Sequence, residues 1–334
     1  MTEGRRYFLY HFRKSLPKLI LEMMLVLVVL LLLPKNENSV GVVVLEIILS
    51  GILMAIIMPV QEYAEFDNRR NLDTWFSLPI DRMKLGLIHY LNGALQIGIV
   101  VIFMSVGLLF RTESGTIVYY GMYALFCFTV LILCLLLYGL LCLAFTAANT
   151  SSDGCTFIIA YLLLPAVINF ARLMAAERFR LKDWAENWRA IGMIGIIFRI
   201  RLGFASEIGG FGETEERLSD LFYDSWFVSR TVANILICAA ATVIMLYIFR
   251  NRHAEKVEDI SDSWFGYRML LPIYAFCAAF ISFSYAGSVL LGLVLIICYM
   301  GYRRGSKLHK SDWTVIAAYF LLALALCVLE GPLR

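Results

Sequence analysis

The chain has 334 residues, of which 60% are hydrophobic and only 16% charged, with a net charge of +3. A soluble domain carries about 25% charged residues, and the mean hydropathy here is +0.76, so a water-soluble fold is excluded for most of the length. The small net charge also gives no footing for nucleic-acid binding. The expectation is a single polytopic, all-α membrane protein.

The N-terminal "RRYFLYHFRKSLPK" interleaves Tyr7, Phe8, Tyr10 and Phe12 with basic residues. That pattern suits an interfacial helix over 1–16, with aromatics toward lipid and cations toward headgroups. The apolar run that follows lacks a small-x-small cleavage site and is too long for a signal-peptide core, so it is expected to be retained as a first span.

A spanning helix needs about 20 apolar residues. Spans are expected near 17–34, 40–61, 85–110, 118–147, 155–172, 231–249, 269–286, 287–302 and 313–330. As one helix, 269–302 would reach about 51 Å against a hydrocarbon core of about 30 Å. It must therefore turn, and "SYAGS" (284–288) supplies the small residues. The segment 175–230 is the one long non-spanning stretch. Its apolar part, within 184–204, is interrupted by Arg199 and Arg201, which suits a re-entrant or interfacial helix.

Lys and Arg in the short loops set the orientation. With the N-terminus in the cytoplasm, the inner segments hold Arg5, Arg6, Arg13, Lys14 and Lys18. They also hold Arg69, Arg70, Arg82 and Lys84, then Arg250, Arg252, Lys256 and Arg268, and finally Arg303, Arg304, Lys307 and Lys310. The short outer segments hold Lys35, Arg111 and Arg334. Nine spans then place the C-terminus outside a cell membrane.

"RRNLDTWFSLPIDRMK" (69–84) breaks the apolar pattern between the second and third spans. Read as a helix, Leu72, Trp75 and Phe76 share a face while Arg69, Arg70 and Asp73 spread over the rest. Pro79 ends that helix and can begin the next one. A short transverse helix on the inner surface results, resting on lipid or docking a soluble partner through its aromatic knob.

This segment, "LDTWFSLPIDR" above all, resembles the coupling region of ABC-2-type transporter permeases, whose inner helix docks on an ATP-binding subunit. The N-terminal interfacial helix is similar to the family's elbow helix, and the stretch after the fifth span to its outer re-entrant hairpin. "IFRNRHAEKVED" (248–259) resembles the tail of a Gram-positive subgroup that carries extra C-terminal spans. The resemblance implies an elbow helix at 1–16, a transmembrane core at 17–250 with a coupling region at 62–84, and additional spans in 251–334. It also implies an ATPase-docking surface of Glu65, Arg70, Asp73, Trp75, Phe76, Leu78, Pro79 and Arg82. The implied partners are an ATP-binding subunit, which carries the ATP and Mg, a second permease chain and membrane lipid. The implied role is bacterial export of an amphipathic peptide, antibiotic or lipid.

No G-x-x-x-x-G-K-[ST], H-E-x-x-H or G-x-S-x-G occurs, so neither ATP binding nor an enzyme activity is expected of this chain. His11, His89, His253 and His309 fall in four separate segments and read as interfacial side chains, not metal ligands. The eight cysteines (Cys127, Cys134, Cys142, Cys155, Cys238, Cys277, Cys298 and Cys327) have no C-x-x-C pairing and read as small buried hydrophobes. Inside the spans, Glu22, Glu46, Arg172, Asn92, Gln96 and Asn169 are costly polar residues. They serve either as interhelical hydrogen-bonding groups or, for Glu46, Asn92, Gln96 and Asn169, as the polar lining of a translocation path. A membrane scaffold or sensor that docks a cytosolic partner through 65–78 without moving cargo is the alternative function. A secondary transporter would call for inverted repeats and broken helices, which the sequence does not display.

Overall fold

A computed structural model describes residues 3–32, 40–67, 77, 80–111, 120–179, 193–209, 225–251, 257, 259, 261, 263–282, 285–305 and 307–330. Among these residues the regular structure is helical throughout, with no strand. The helices are α1 (Glu3–Leu32), α2 (Val40–Tyr63), α3 (Arg82–Arg111), α4 (Tyr120–Thr146), α5 (Ser151–Arg178), α6 (Met193–Gly209), α7 (Ser225–Arg250), α8 (Tyr267–Ile281), α9 (Tyr285–Tyr302) and α10 (Lys310–Glu330). Among the described residues, α2, α3, α4, α5, α7 and α10 are long and apolar enough to cross a membrane, and α8 and α9 are shorter apolar helices. Large side chains such as Leu53, Phe110, Val243 and Leu321 stand exposed along these helices. Apolar surface on that scale is untenable in water and natural against lipid tails, so the protein is membrane-embedded.

Three local features differ from the sequence expectation or sharpen it. The interfacial helix and the first span, expected as separate pieces, form the single helix α1, which runs through Pro17. The turn expected at 284–288 comes slightly earlier. Helix α8 gives way at Ser282, whose backbone is extended, and α9 begins at Tyr285. The Ser282 hydroxyl donates to the Ala279 carbonyl and accepts from Ser288 at 3.0 Å, so small hydroxyl residues satisfy the turn. Ahead of α5, the Thr150 hydroxyl accepts from the Asp153 amide and Asp153 lies in the first turn. That N-cap explains why only 147–150 separate α4 from α5.

The chain divides into two compact units. The first, residues 1–146 and 191–254, contains α1–α4, α6 and α7. Within it α2 packs against α3, α4 and α6, α1 packs along α3, and α7 packs on α4 and α3. Helix α6 falls in the segment where a re-entrant or interfacial helix was expected. It buries Met193, Ile196, Ile197, Phe204 and Ile208, with Phe204 against Phe126 of α4.

The second unit, 147–190 and 255–334, contains α5 and α8–α10. Within this unit α5 packs against α8. Ala275 and Ala279 of α8, one turn apart, give close access to Leu295, Tyr299, Tyr302, Ile316 and Tyr319. The Tyr319 hydroxyl donates to the Ser288 carbonyl at 2.8 Å, and Tyr267 meets Phe157 edge-on.

A buried His-Glu-His cluster joins three helices

Among its described residues the first unit holds a concentrated polar group in its interior, and helical periodicity explains how it arises. In α2 the buried residues Val44, Ile47, Ile48, Met54, Ala55 and Met58 form the inward stripe. Glu62 follows Met58 by one turn and continues that stripe. In α3, Leu85, His89, Asn92, Gln96, Val100 and Met104 recur at the same spacing, and in α1 so do Tyr7, His11, Ser15 and Leu19. Polar side chains thus occupy positions that apolar ones hold elsewhere on the same faces.

They converge on the Glu62 carboxylate, whose side chain is only 5% exposed. Oε2 lies 2.8 Å from His11 Nε2 and 3.2 Å from His89 Nδ1. Oε1 accepts from Asn92 Nδ2 at 2.7 Å and from Gln96 Nε2 at 3.0 Å. A carboxylate is an acceptor only, so both facing ring nitrogens must carry hydrogens, and its lone-pair sites are saturated. With its proton on Nδ1, His89 accepts from the Tyr7 hydroxyl at Nε2, 3.1 Å away. The two imidazole centroids are 4.0 Å apart. His11 Nδ1 and Gln96 Oε1 are buried without a hydrogen-bond partner among the described residues.

An aromatic wall closes the cluster. Phe66 sits edge-on to His89 and to Phe249, with centroids at 4.8 and 5.0 Å. The Tyr63 hydroxyl donates to the Gly86 carbonyl at 3.0 Å. Two glycines permit this density. A Cβ on Gly86 would lie 2.8 Å from Phe249 Cδ1, and one on Gly93 would overlap the Tyr138 hydroxyl and press on Glu62 Cγ. At the margin, Gln61 donates to Glu22 at 3.0 Å, and Lys14 of α1 pairs with Glu65 at 3.3 Å, half exposed. Burial, reinforced by the Glu65 and Glu62 carboxylates, pushes the Tyr7 phenol well above its ordinary pKa, so Tyr7 remains a neutral donor.

The residues singled out in the sequence are distributed unevenly around this cluster. Glu65 lies on the 3-10 turn after α2, and Arg82 opens α3 half-buried. Arg70, Asp73, Trp75, Phe76, Leu78 and Pro79 lie outside the described residues. Asn92 and Gln96, considered as a path lining or as interhelical hydrogen-bonding groups, have their amides engaged with Glu62 of α2. Glu46 is half-buried about 24 Å farther along α2, and Asn169 lies on α5 in the second unit. His11 and His89, expected as interfacial side chains from separate segments, are instead buried side by side at 8% and 1% exposure. Glu62 went unremarked in the sequence because it closes an apolar run. Its place on the continuing stripe of α2 is the signal that could have found it.

No protein-family model, no curated protein and no solved structure matches this chain.

Proposed function

We propose that the chain is the membrane-spanning permease subunit of an ABC-2-type exporter. In this reading it crosses a bacterial plasma membrane nine times, with the N-terminus in the cytoplasm and the C-terminus outside. It pairs with a second permease chain and is driven by separate ATP-binding subunits that dock on 65–82. An amphipathic peptide, antibiotic or lipid is the cargo class.

The observation that carries the proposal is the mechanical position of the His-Glu-His cluster. Segment 68–80 connects α2 to α3. The last turn of α2 and the first turns of α3 are tied to each other by Glu62 with His89, Asn92 and Gln96, and to α1 by His11. A displacement of the connecting segment would therefore move three helices as a body instead of flexing one loop. That rigidity is what a docking segment needs if ATP binding is to favour one arrangement of a two-state bundle. The membrane-embedded helices and the Trp-Phe-x-Leu-Pro run of the sequence support the same reading.

Purification of the tagged chain in mild detergent tests it. The expected result is co-purification of an ATP-binding-cassette protein whose ATP turnover changes when the permease is present. Trp75→Ala combined with Leu78→Ala should abolish that capture. Capture without any change in turnover would favour a scaffold, and undiminished capture by the double variant would remove 68–80 as the docking segment.

A further inference from the structure

We propose that His11, Glu62 and His89 form a binding site for one divalent transition-metal ion of the Zn²⁺ type, pinning α1 to α2 and α3. The candidate ligand atoms, one from each residue, all lie within 4.8 Å of one another, and all three residues are buried. In a tetrahedral site with metal–ligand distances near 2.1 Å, neighbouring donor atoms stand about 3.4 Å apart. Glu62 Oε2 already lies 2.8 Å from His11 Nε2 and 3.2 Å from His89 Nδ1. Small side-chain shifts would therefore accommodate an ion without moving a helix.

The donor set selects the metal class. Two imidazole nitrogens and one carboxylate suit Zn²⁺ and its first-row neighbours, whereas Mg²⁺ and Ca²⁺ demand a shell of oxygens. Three protein ligands leave a fourth position open.

The surroundings of His89 and Glu62, though not of His11, are those that metal ligands need. Metal-bound imidazoles hold their other ring nitrogen in a hydrogen bond, and bound carboxylates are themselves hydrogen-bonded. The Tyr7 hydroxyl stands at His89 Nε2, and Asn92 and Gln96 hold Glu62 Oε1, leaving Oε2 for the ion. Entry of the metal changes tautomers without net proton release from two neutral rings. The proton on His11 Nε2 moves to Nδ1, which has no hydrogen-bond partner among the described residues. The proton on His89 Nδ1 moves to Nε2, where Tyr7 Oη accepts it. Glu65, three residues beyond Glu62, reaches the surface with Lys14, so the site lies about one helical turn from water. The site is independent of the cargo and of the permease reading.

The test is a titration of the full chain in detergent after stripping with EDTA, using Zn²⁺ against a chromophoric chelator and Co²⁺ by visible absorption. One equivalent per chain should bind with a Kd of about 0.1 µM or tighter. The Co²⁺ spectrum should show a tetrahedral nitrogen-oxygen field without thiolate charge transfer. His11→Asn and His89→Asn should each weaken binding at least about 100-fold, and Tyr7→Phe about 10-fold through His89. Failure of the wild-type chain to bind one equivalent would overturn the site, whether or not the variants fold. Binding that survives in the His variants, or a thiolate signature from the cysteines, would do so equally.

Discussion

Replacing Glu62 with Ala removes the acceptor on which four side chains of two other helices converge. His89, Asn92 and Gln96 are at most 1% exposed and would each lose a buried acceptor. Each such loss costs about 1–3 kcal/mol, but neighbouring side chains relax and water enters the vacated space. With both rings neutral the loss leaves unsatisfied donors and no unpaired charge, and after relaxation a net cost of about 3–5 kcal/mol is expected. At about 2–4 °C per kcal/mol, the thermal midpoint should fall by about 10 °C. A thiol-reactive fluorogenic dye is a suitable reporter, because Cys134, Cys142 and Cys238 are buried in the same unit and become reactive on unfolding. Lys14→Ala is the control. It removes an ion pair whose side chains are 50% and 36% exposed, and should change stability by less than about 1 kcal/mol. A midpoint for Glu62→Ala no lower than that of Lys14→Ala would refute the view that the cluster holds α1, α2 and α3 together.

Gly93→Ala should destabilise by about 1–3 kcal/mol, because its Cβ overlaps the buried Tyr138 hydroxyl, whereas Gly121→Ala in open space should be neutral or slightly stabilising. The same thermal assay checks both, and equal midpoints would contradict the packing described. In the second unit, Arg303 grips Asp312 through two bonds of 2.8 and 2.9 Å while Asp312 also accepts from the His309 amide at 2.9 Å. Asp312→Ala removes this bidentate pair and an N-terminal cap of α10 together, and should cost about 2–4 kcal/mol. Protease protection of α10 would register the loss.

The sequence made the membrane character legible because the apolar runs are long, and lipid as solvent imposes a length rule stronger than local propensity. It also placed the turn between α8 and α9 within a few residues, since a single helix there would overrun the bilayer. The continuity of α1 through Pro17 was not legible, because proline marks a weak point in a helix without deciding whether packing along α3 overrides it. The cluster was half legible. Asn92 and Gln96 stood out as polar residues inside a span, but His11 lay in a basic aromatic stretch that equally suits an interface. Their convergence on Glu62 is a tertiary fact, visible only once three inward stripes are superimposed.

The central claim is that the segment joining α2 and α3 faces the cytoplasm, where a nucleotide-driven subunit could bear on the clamped helix ends. Ser77 is exposed within that segment, and Ser77→Cys offers a direct reading with a membrane-impermeant maleimide, scored against the native-cysteine background. The account predicts protection in intact cells and labelling in inverted membrane vesicles. Labelling of intact cells at residue 77 would contradict it.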